Sequence, residues 1–147
     1  MRSPVLAGRR SVAGEFFVDT SAWYPAVVSS HADHRRVAAA LTDRVRGRQR
    51  VVTTNLVIGE THALLLHRVH RRAAHAFLTM VRQSPNVVIY CDAELEEAAI
   101  TRWLEPYADQ PLSLCDAVSF ATMSTRRIKE ALTLDRHFAV AGFRVTP

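Results

Sequence analysis

An α/β fold with a central, mainly parallel five-stranded sheet is predicted from two observations. Five short apolar runs recur along the chain, and segments with helical periodicity separate them. The runs are continuous rather than alternating, which is typical of strands covered on both faces. They occupy residues 16–18, 51–53, 87–90, 131–134 and 143–145. The sequence therefore predicts a three-layer sandwich in which helices flank the sheet on both sides.

The predicted helices have apolar faces and start signals. Apolar residues recur three and four positions apart in segments 37–45, 74–81 and 95–103, as on one side of an amphipathic helix. Asn55 is expected to cap a further helix over residues 56–67, because its side chain can accept a hydrogen bond from the first helical turn. A helix therefore separates each predicted strand from the next over most of the chain.

The size and composition of the chain indicate one folded domain. The chain has 147 residues, of which 48% are hydrophobic, and this share excludes disorder as its main state. Residues 1–14 show no periodicity and are expected to form a flexible N-terminal tail before a single domain at 15–147. The longest stretch without Asp, Glu, Lys or Arg is 20–32, which is too short to cross a membrane. No membrane partner is expected.

Cysteine content and charge indicate the compartment and the kind of partner. Two cysteines are too few for a disulfide framework, so we expect a reducing, cytoplasmic environment. The net charge is +5, divided into +8 over residues 1–82 and −3 over residues 83–147. The basic half suggests an anionic partner, either nucleic acid or an acidic protein segment. A solvated basic surface explains the same charge equally well.

Two aspartates follow predicted strands. Asp19 comes directly after the first apolar run, and Asp135 comes directly after the fourth. Ligands of parallel sheets bind beyond the carboxyl ends of the strands, so both residues are candidates for a site. Each also has a simpler interpretation, since an aspartate at a strand-to-helix turn often caps the next helix.

Two further acids lie on predicted helices. Glu60 shares a helix face with Leu56 and Leu64, where a buried carboxylate without a partner costs several kcal/mol. We therefore favour a functional role for Glu60, although it can also sit at the edge of this face and reach water. Asp116 follows Ser113 by three positions, which fits a capping box at the start of a helix.

Together the four acids predict a metal site. Carboxylates crowded in one crevice repel one another unless a cation neutralises them. Mg²⁺ and Mn²⁺ prefer oxygen ligands, and such ions lower the pKa of a water that attacks a phosphodiester. The acids are far apart in sequence, so only the fold can bring them together.

At these residues the chain resembles the PIN-domain family and, within it, the VapC-type toxins of bacterial toxin–antitoxin systems. The similarity runs from Phe16 to Pro147. Four segments carry it in the family's order, namely FVDTSAW at 17–23, TTNLVIGET at 53–61, LSLCDAVSF at 112–120 and ALTLDRHF at 131–138. No acid of the family pattern is missing, and the departure is the long N-terminal extension.

The resemblance implies a ribonuclease that depends on Mg²⁺ or Mn²⁺, acts on RNA and is neutralised by a cognate VapB-type antitoxin. It maps the metal-site acids onto Asp19, Glu60, Asp116 and Asp135. Asp19 and Asp116 are then the principal metal ligands, while Glu60 and Asp135 complete the site or orient water. It also implies a homodimer, which the apolar helix faces favour. Hydroxyls near the acids are expected at Ser21 and Thr133.

Several other features remain secondary. Arginines at 44, 46, 48, 50, 68, 71 and 72 are candidates for holding the RNA backbone, although a solvated face explains most of them individually. His137 can shuttle a proton or simply pack beside Phe138. The pairs His31/His34 and His67/His70 are expected to be solvated helix residues rather than metal ligands. Cys115 is expected to be a small buried side chain.

Two other functions remain open. One is a phosphatase or phosphotransferase with Asp19 as nucleophile, although such a site usually needs a second acid two residues later, where this chain has Ser21. The other is a non-catalytic binding module that keeps the acidic site for folding or for a partner. A nuclease should lose RNA cleavage in Asp19→Asn, and a phosphotransferase should form an acyl-phosphate. A binding module should show neither.

Overall fold

The computed structural model describes residues 14–147, so the predicted tail at 1–14 lies outside the described residues except for Gly14. The strands are β1 (Glu15–Val18), β2 (Arg50–Thr54), β3 (Asn86–Ile89), β4 (Glu130–Leu132) and β5 (Arg144–Thr146). The helices are α1 (Thr20–Val27), α2 (His34–Arg46), α3 (Asn55–Arg68), α4 (Arg71–Val81), α5 (Ala93–Ala99), α6 (Leu114–Arg126) and α7 (His137–Val140). One π-helical turn, Ile100–Leu104, extends α5.

The five strands form one parallel sheet in the order β3-β2-β1-β4-β5. Phe17 of β1 pairs with Val52 on one side and with Ala131 on the other, so β1 is the central strand. This architecture confirms the predicted fold class. All five carboxyl ends therefore lie at one edge of the sheet, where a site is expected.

Consecutive residues of β1 contact opposite layers, which makes the fold a sandwich. The guanidinium of Arg44 in α2 lies 5.3 Å from the ring centre of Phe16. The ring of Phe17 instead packs against Phe138 of α7, which in turn packs against Phe120 of α6. All three phenylalanines of this second cluster are fully buried. The continuous apolar run of β1 is thus explained by burial on both faces.

The predicted strand ends differ from the observed ends by one or two residues. β4 stops at Leu132, whereas the apolar run extends to Leu134. The chain leaves the sheet there because the Leu134 N–H donates to the hydroxyl of Ser21 rather than to a neighbouring strand. The carboxyl end of β4 is thereby tied to the start of α1.

The predicted cap of α3 is wrong by one residue. Thr54, not Asn55, is the N-cap, and its hydroxyl accepts a hydrogen bond from the Val57 N–H. Asn55 is the first helical residue, and its side-chain oxygen accepts a hydrogen bond of 2.8 Å from the Cys91 N–H. Both residues can cap a helix, but Asn55 is needed to hold the segment that follows β3.

None of the helices within residues 14–147 combines the length and the apolar character that crossing a membrane requires.

Candidate metal centre

Three aspartates converge at the carboxyl edge of the sheet. Asp19 directly follows the central strand β1, and Asp135 lies three residues beyond the end of β4. Asp116 lies in the first turn of α6. The charges of Asp135 and Asp116 both act on Asp19, so the fold brings together three of the four predicted acids.

Asp19 is the most deeply buried of these carboxylates, with 7% of its surface exposed. Its side chain does not cap α1, so the capping interpretation is wrong for this residue. Burial, and to a smaller degree the charges of Asp135 and Asp116, raise the pKa of Asp19 to about 7, although hydrogen bonds from Ser21 and Thr133 oppose the shift. A buried carboxyl that resists ionisation indicates a site that lacks a positive charge.

Asp116 both caps its helix and faces the site. Its Oδ2 accepts a hydrogen bond of 3.0 Å from the Ser113 N–H, and the Ser113 hydroxyl accepts one from the Asp116 N–H. The predicted capping box is therefore present. Because the cap engages Oδ2, the other carboxylate oxygen remains available to a ligand.

Asp135 is held by the residues on either side of it. Its N–H donates to the Thr133 hydroxyl at 2.9 Å. Its Oδ1 accepts a hydrogen bond from the His137 N–H and lies 2.9 Å from the His137 Nδ1. One ligand atom from each of Asp116, Asp135 and His137 falls within 4.8 Å of the other two.

His137 is the site residue that sequence analysis undervalued. It lies two residues after Asp135, at the first position of α7. The sequence did indicate this position, because His137 follows Asp135 by two residues. The first side chains of a helix that begins there lie at the carboxyl edge of the sheet, as Asp135 does. A histidine at this position was interpreted as equally suited to packing.

The hydroxyls expected near the acids are present and connect the strands. The Ser21 Oγ donates to Asp19 Oδ1 at 2.8 Å and lies 3.1 Å from the Thr133 Oγ1. Ser21 also accepts the Leu134 N–H at 2.8 Å. A single serine therefore links the residues after β1 to those after β4.

Glu60 is exposed and lies beside Cys115, the residue before Asp116, a position that we call the rim of the site. Of the two interpretations of Glu60, the structure supports the one in which it reaches water. The buried face of α3 is formed by Val57, Ile58, Thr61 and Leu65. Glu60 nonetheless lies close to Cys115. Burial raises the pKa of the partly buried Cys115 thiol above its ordinary range, and Glu60 raises it further.

The donor set suits a hard divalent cation. Within residues 14–147, no Lys or Arg nitrogen lies within the 4.0 Å salt-bridge distance of Asp19, Asp116 or Asp135. Carboxylate oxygens are the ligands that Mg²⁺ and Mn²⁺ prefer, and a cation there would relieve the repulsion that hinders ionisation of Asp19. The residues present therefore fit the predicted ion.

The proposed arginines lie away from this edge. Arg50 opens β2, so it is separated from the carboxyl end by about 13 Å of strand. Arg44 forms a salt bridge with Glu130, the first residue of β4. Arg68 ends α3, roughly 20 Å along the helix from its start at the carboxyl edge, and lies over the Tyr24 ring. Arg44 is therefore structural, and Arg68 and its neighbours can reach only an extended RNA.

The paired histidines serve local structure. His31 Nδ1 accepts the Asp33 N–H, and His34 Nδ1 lies 2.8 Å from the Pro25 carbonyl oxygen. His70 caps α4 by accepting the Ala73 N–H. His31 and His34 are half-buried, whereas His67 and His70 are exposed, so the predicted solvation holds for the second pair.

Sequence comparison defines the class to which this fold and acidic edge belong. The PIN domain family model matches residues 16–144. The 23S rRNA-specific endonuclease VapC20 of Mycobacterium tuberculosis is 36% identical over 127 residues, which cover 86% of this chain and 94% of that protein. The chain therefore belongs to the PIN-domain family and is a ribonuclease toxin of the VapC type.

Solved structures agree with this assignment. The crystal structure of M. tuberculosis VapC20, described as a sarcin-ricin loop cleaving toxin, has a TM-score of 0.82 and 34% identity over 90% of this chain and 99% of that chain. VapBC2 from Rickettsia felis, bound to a promoter DNA fragment, shares the fold with a TM-score of 0.67 at 10% identity, covering 89% of this chain and 96% of that one. FitAcB from Neisseria gonorrhoeae shares the fold with a TM-score of 0.62 at 13% identity, and the match covers 90% of this chain and 96% of that one.

Proposed function

We propose that this chain hydrolyses RNA phosphodiester bonds with a divalent cation, Mg²⁺ or Mn²⁺, held by Asp19, Asp116 and Asp135, with Glu60 at the rim. The observation that supports this proposal most strongly is the lack of compensating charge. Three carboxylates from distant parts of the chain meet without an Arg or Lys partner in the described residues. A cation is the simplest way to neutralise them.

The bound cation would supply Lewis acidity toward the phosphate and lower the pKa of a water. The protein residues have separate tasks. Asp116 and Asp135 each engage one oxygen with local N–H donors, which orients the second oxygen for the ion. Asp19 must lose its proton when the ion binds, because burial raises its pKa to about 7.

Glu60 is suited to a different task from the aspartates. It is exposed at the rim, where it can orient a water or accept a proton from it. We therefore propose Glu60 as a water-orienting residue rather than a principal ligand. This division extends the sequence prediction, which left both roles open for Glu60.

The substrate and partners follow from similarity to VapC20. Because that protein is named for cleavage of 23S rRNA, we propose 23S rRNA as the first substrate to test. We further propose a cognate VapB-type antitoxin, a homodimer and a cytoplasmic location. Residues 15–147 would form one PIN domain, since the sheet uses strands from both ends of this range.

The decisive experiment incubates the purified, antitoxin-free chain with total RNA and with isolated ribosomes. Each sample receives Mg²⁺, Mn²⁺ or EDTA, and Asp116→Asn is compared with Asp109→Asn, a change at an exposed aspartate outside the acidic cluster. We expect discrete fragments that require metal, persist in Asp109→Asn and disappear in Asp116→Asn.

Other results would favour the alternative functions. Intact RNA from a folded protein under every metal condition would contradict the nuclease and favour a binding module. A covalent acyl-phosphate on Asp19 would indicate a phosphotransferase. Cleavage that persists in EDTA would contradict the metal-dependent mechanism.

A further inference from the structure

Two nitrogens of one residue lie close to one oxygen of Asp135. The backbone N–H of His137 donates to Asp135 Oδ1 at 2.9 Å, and the Nδ1 of the same histidine lies 2.9 Å from that oxygen. An ionised carboxylate has only acceptors, so Nδ1 must carry the proton of this contact. Both the neutral Nδ1–H tautomer and the imidazolium can donate it, so the contact does not depend on the charge of the ring.

The imidazole is held in place by its surroundings. Only 16% of the His137 side chain is exposed. The next residue, Phe138, is fully buried between Phe17 and Phe120, which fixes the start of α7 against the core. The position of the ring therefore follows from the packing of its neighbour.

The other ring nitrogen of His137, Nε2, makes no polar contact of its own in the part of the chain that the structure describes. His137 Nε2 is buried and has no hydrogen-bond partner within residues 14–147. Burying a nitrogen without a hydrogen-bond partner costs free energy. The 2.9 Å contact of Nδ1 with Asp135 Oδ1 is therefore the polar contact that the ring makes among the described residues.

The convergence on Oδ1 orients the whole carboxylate. With the His137 N–H donating to Oδ1, the His137 Nδ1 lying 2.9 Å from the same oxygen, and the Asp135 N–H bound to Thr133, rotation of the side chain is restricted. The free oxygen, Oδ2, is then the atom available beside Asp116. A ligand that is oriented before the ion arrives loses less conformational entropy when the ion binds.

We propose that His137 is a positioning residue that presents the free oxygen of Asp135 to the divalent cation without itself binding it. This inference rests on the proposed metal-dependent function. It adds a histidine that contacts a ligand, rather than the ion, to a site otherwise described by acids. Hydrogen-bonded partners of this kind typically change metal affinity by about 10- to 100-fold when they are removed.

The test measures Mn²⁺ binding to the metal-free chain by calorimetry and by electron paramagnetic resonance, without any activity assay. His137→Leu removes the side-chain donor and is expected to weaken Mn²⁺ binding by about 10-fold or more. His137→Asn places an amide donor near the position of Nδ1 and is expected to restore affinity to within about threefold of wild type. His75→Leu, at an exposed histidine of α4, is the matched control and should bind like wild type.

Each outcome separates this inference from the proposed function. If wild type binds no Mn²⁺, or Asp116→Asn binds it as tightly as wild type, the metal-dependent function itself fails. If wild type binds Mn²⁺ and His137→Leu binds it equally well, only the role of His137 is overturned. Nitrogen hyperfine coupling to Mn²⁺ that disappears in His137→Asn would show direct ligation and would also overturn it. Melting temperatures in EDTA show that each variant is folded.

Discussion

The acidic residues at the two edges of the sheet have different kinds of partner, although nearly all of them are partly buried. At the amino edge, Glu15 of β1 lies 2.7 Å from Arg126, and Glu130 of β4 pairs with Arg44. At the carboxyl edge, the nearby carboxylates of Asp19, Asp116 and Asp135 have hydroxyl, backbone and imidazole partners instead. The exposure of the side chains does not explain the difference, since Glu130 is 18% exposed and Asp135 is 27% exposed.

This contrast separates acids that are neutralised within the protein from acids that are not. An acid paired with arginine is neutralised within the protein, and removing either partner destabilises the fold. An acid held by neutral donors keeps its orientation and its uncompensated charge. Acidic residues therefore have two physical roles in this chain, and the nature of the partner distinguishes them.

The largest expected effect is on the free energy of unfolding, at Asp19. Burial raises the pKa of Asp19 in the folded chain from 3.8 to about 7, so between these values the folded state holds a proton that the unfolded state has released. Stability is therefore lost as pH rises from about 4 to about 7. Asp19→Asn, which cannot ionise, should make the metal-free chain more stable at pH 8 by about 4 kcal/mol.

Urea denaturation in EDTA at several pH values measures this difference. The gap between Asp19→Asn and wild type should shrink steadily below pH 7 and vanish near pH 4. Adding Mg²⁺ should stabilise wild type but not the variant. A variant that is less stable than wild type at pH 8 would contradict the account of Asp19 as an uncompensated buried acid.

At the amino edge, the expected effect has the opposite sign. Glu130→Gln leaves Arg44 without its carboxylate and should destabilise the chain by about 2 kcal/mol at neutral pH. Its rate of RNA cleavage, measured well below the melting temperature, should match wild type. Reduced cleavage by a fully folded Glu130→Gln would show that the two edges are not functionally separate.

For Glu60, at the rim of the site, we expect an effect on RNA cleavage and almost none on stability. Glu60→Gln keeps the shape of an exposed side chain but removes its charge, so its melting temperature should stay within about one degree. If Glu60 orients or deprotonates water, cleavage should slow by about 100-fold while the affinity for Mn²⁺ changes little. A large loss of Mn²⁺ affinity would instead make Glu60 a principal ligand.

The smallest expected effect concerns RNA binding beside the acids. Arg136 is exposed between Asp135 and His137, and it is the arginine nearest in sequence to the site. Arg136→Ala should weaken RNA binding about equally across sequences and reduce the slope of log affinity against log salt by about 1. Filter binding in Ca²⁺ at several salt concentrations measures this slope. An unchanged slope would place the phosphate contacts elsewhere.

The sequence predicted the sheet and its central acids because both follow local rules. Continuous apolar runs such as the one ending at Val18 need burial on both faces, and parallel strands bring their carboxyl ends together. Asp19 and Asp135 were therefore located from the runs that precede them. The position of Asp116 in a capping box was also visible locally, and the structure shows that capping and facing the site are compatible.

What sequence analysis missed depended on three-dimensional contacts. For Glu60 the sequence left a buried face and an edge that reaches water both open, because Leu56 and Leu64 share its side of the helix; the structure buries Val57 and Leu65 of α3 instead. Periodicity defines a stripe on a helix, whereas packing decides which stripe faces the core. Spacing places His137 at the same edge as Asp135, but the 2.9 Å contact of its Nδ1 with Asp135 Oδ1 is visible only in three dimensions.

The placement of β1 at the centre of the sheet has a consequence for synthesis of the protein. The first described strand, β1, pairs with β4. More than a hundred residues must therefore be synthesised after Asp19 before Asp135 can join it. Contacts this distant in sequence form slowly during folding. A nascent or truncated chain that lacks β4 and the residues after it therefore cannot assemble the three aspartates, and the acidic cluster forms only after Asp135 has been synthesised.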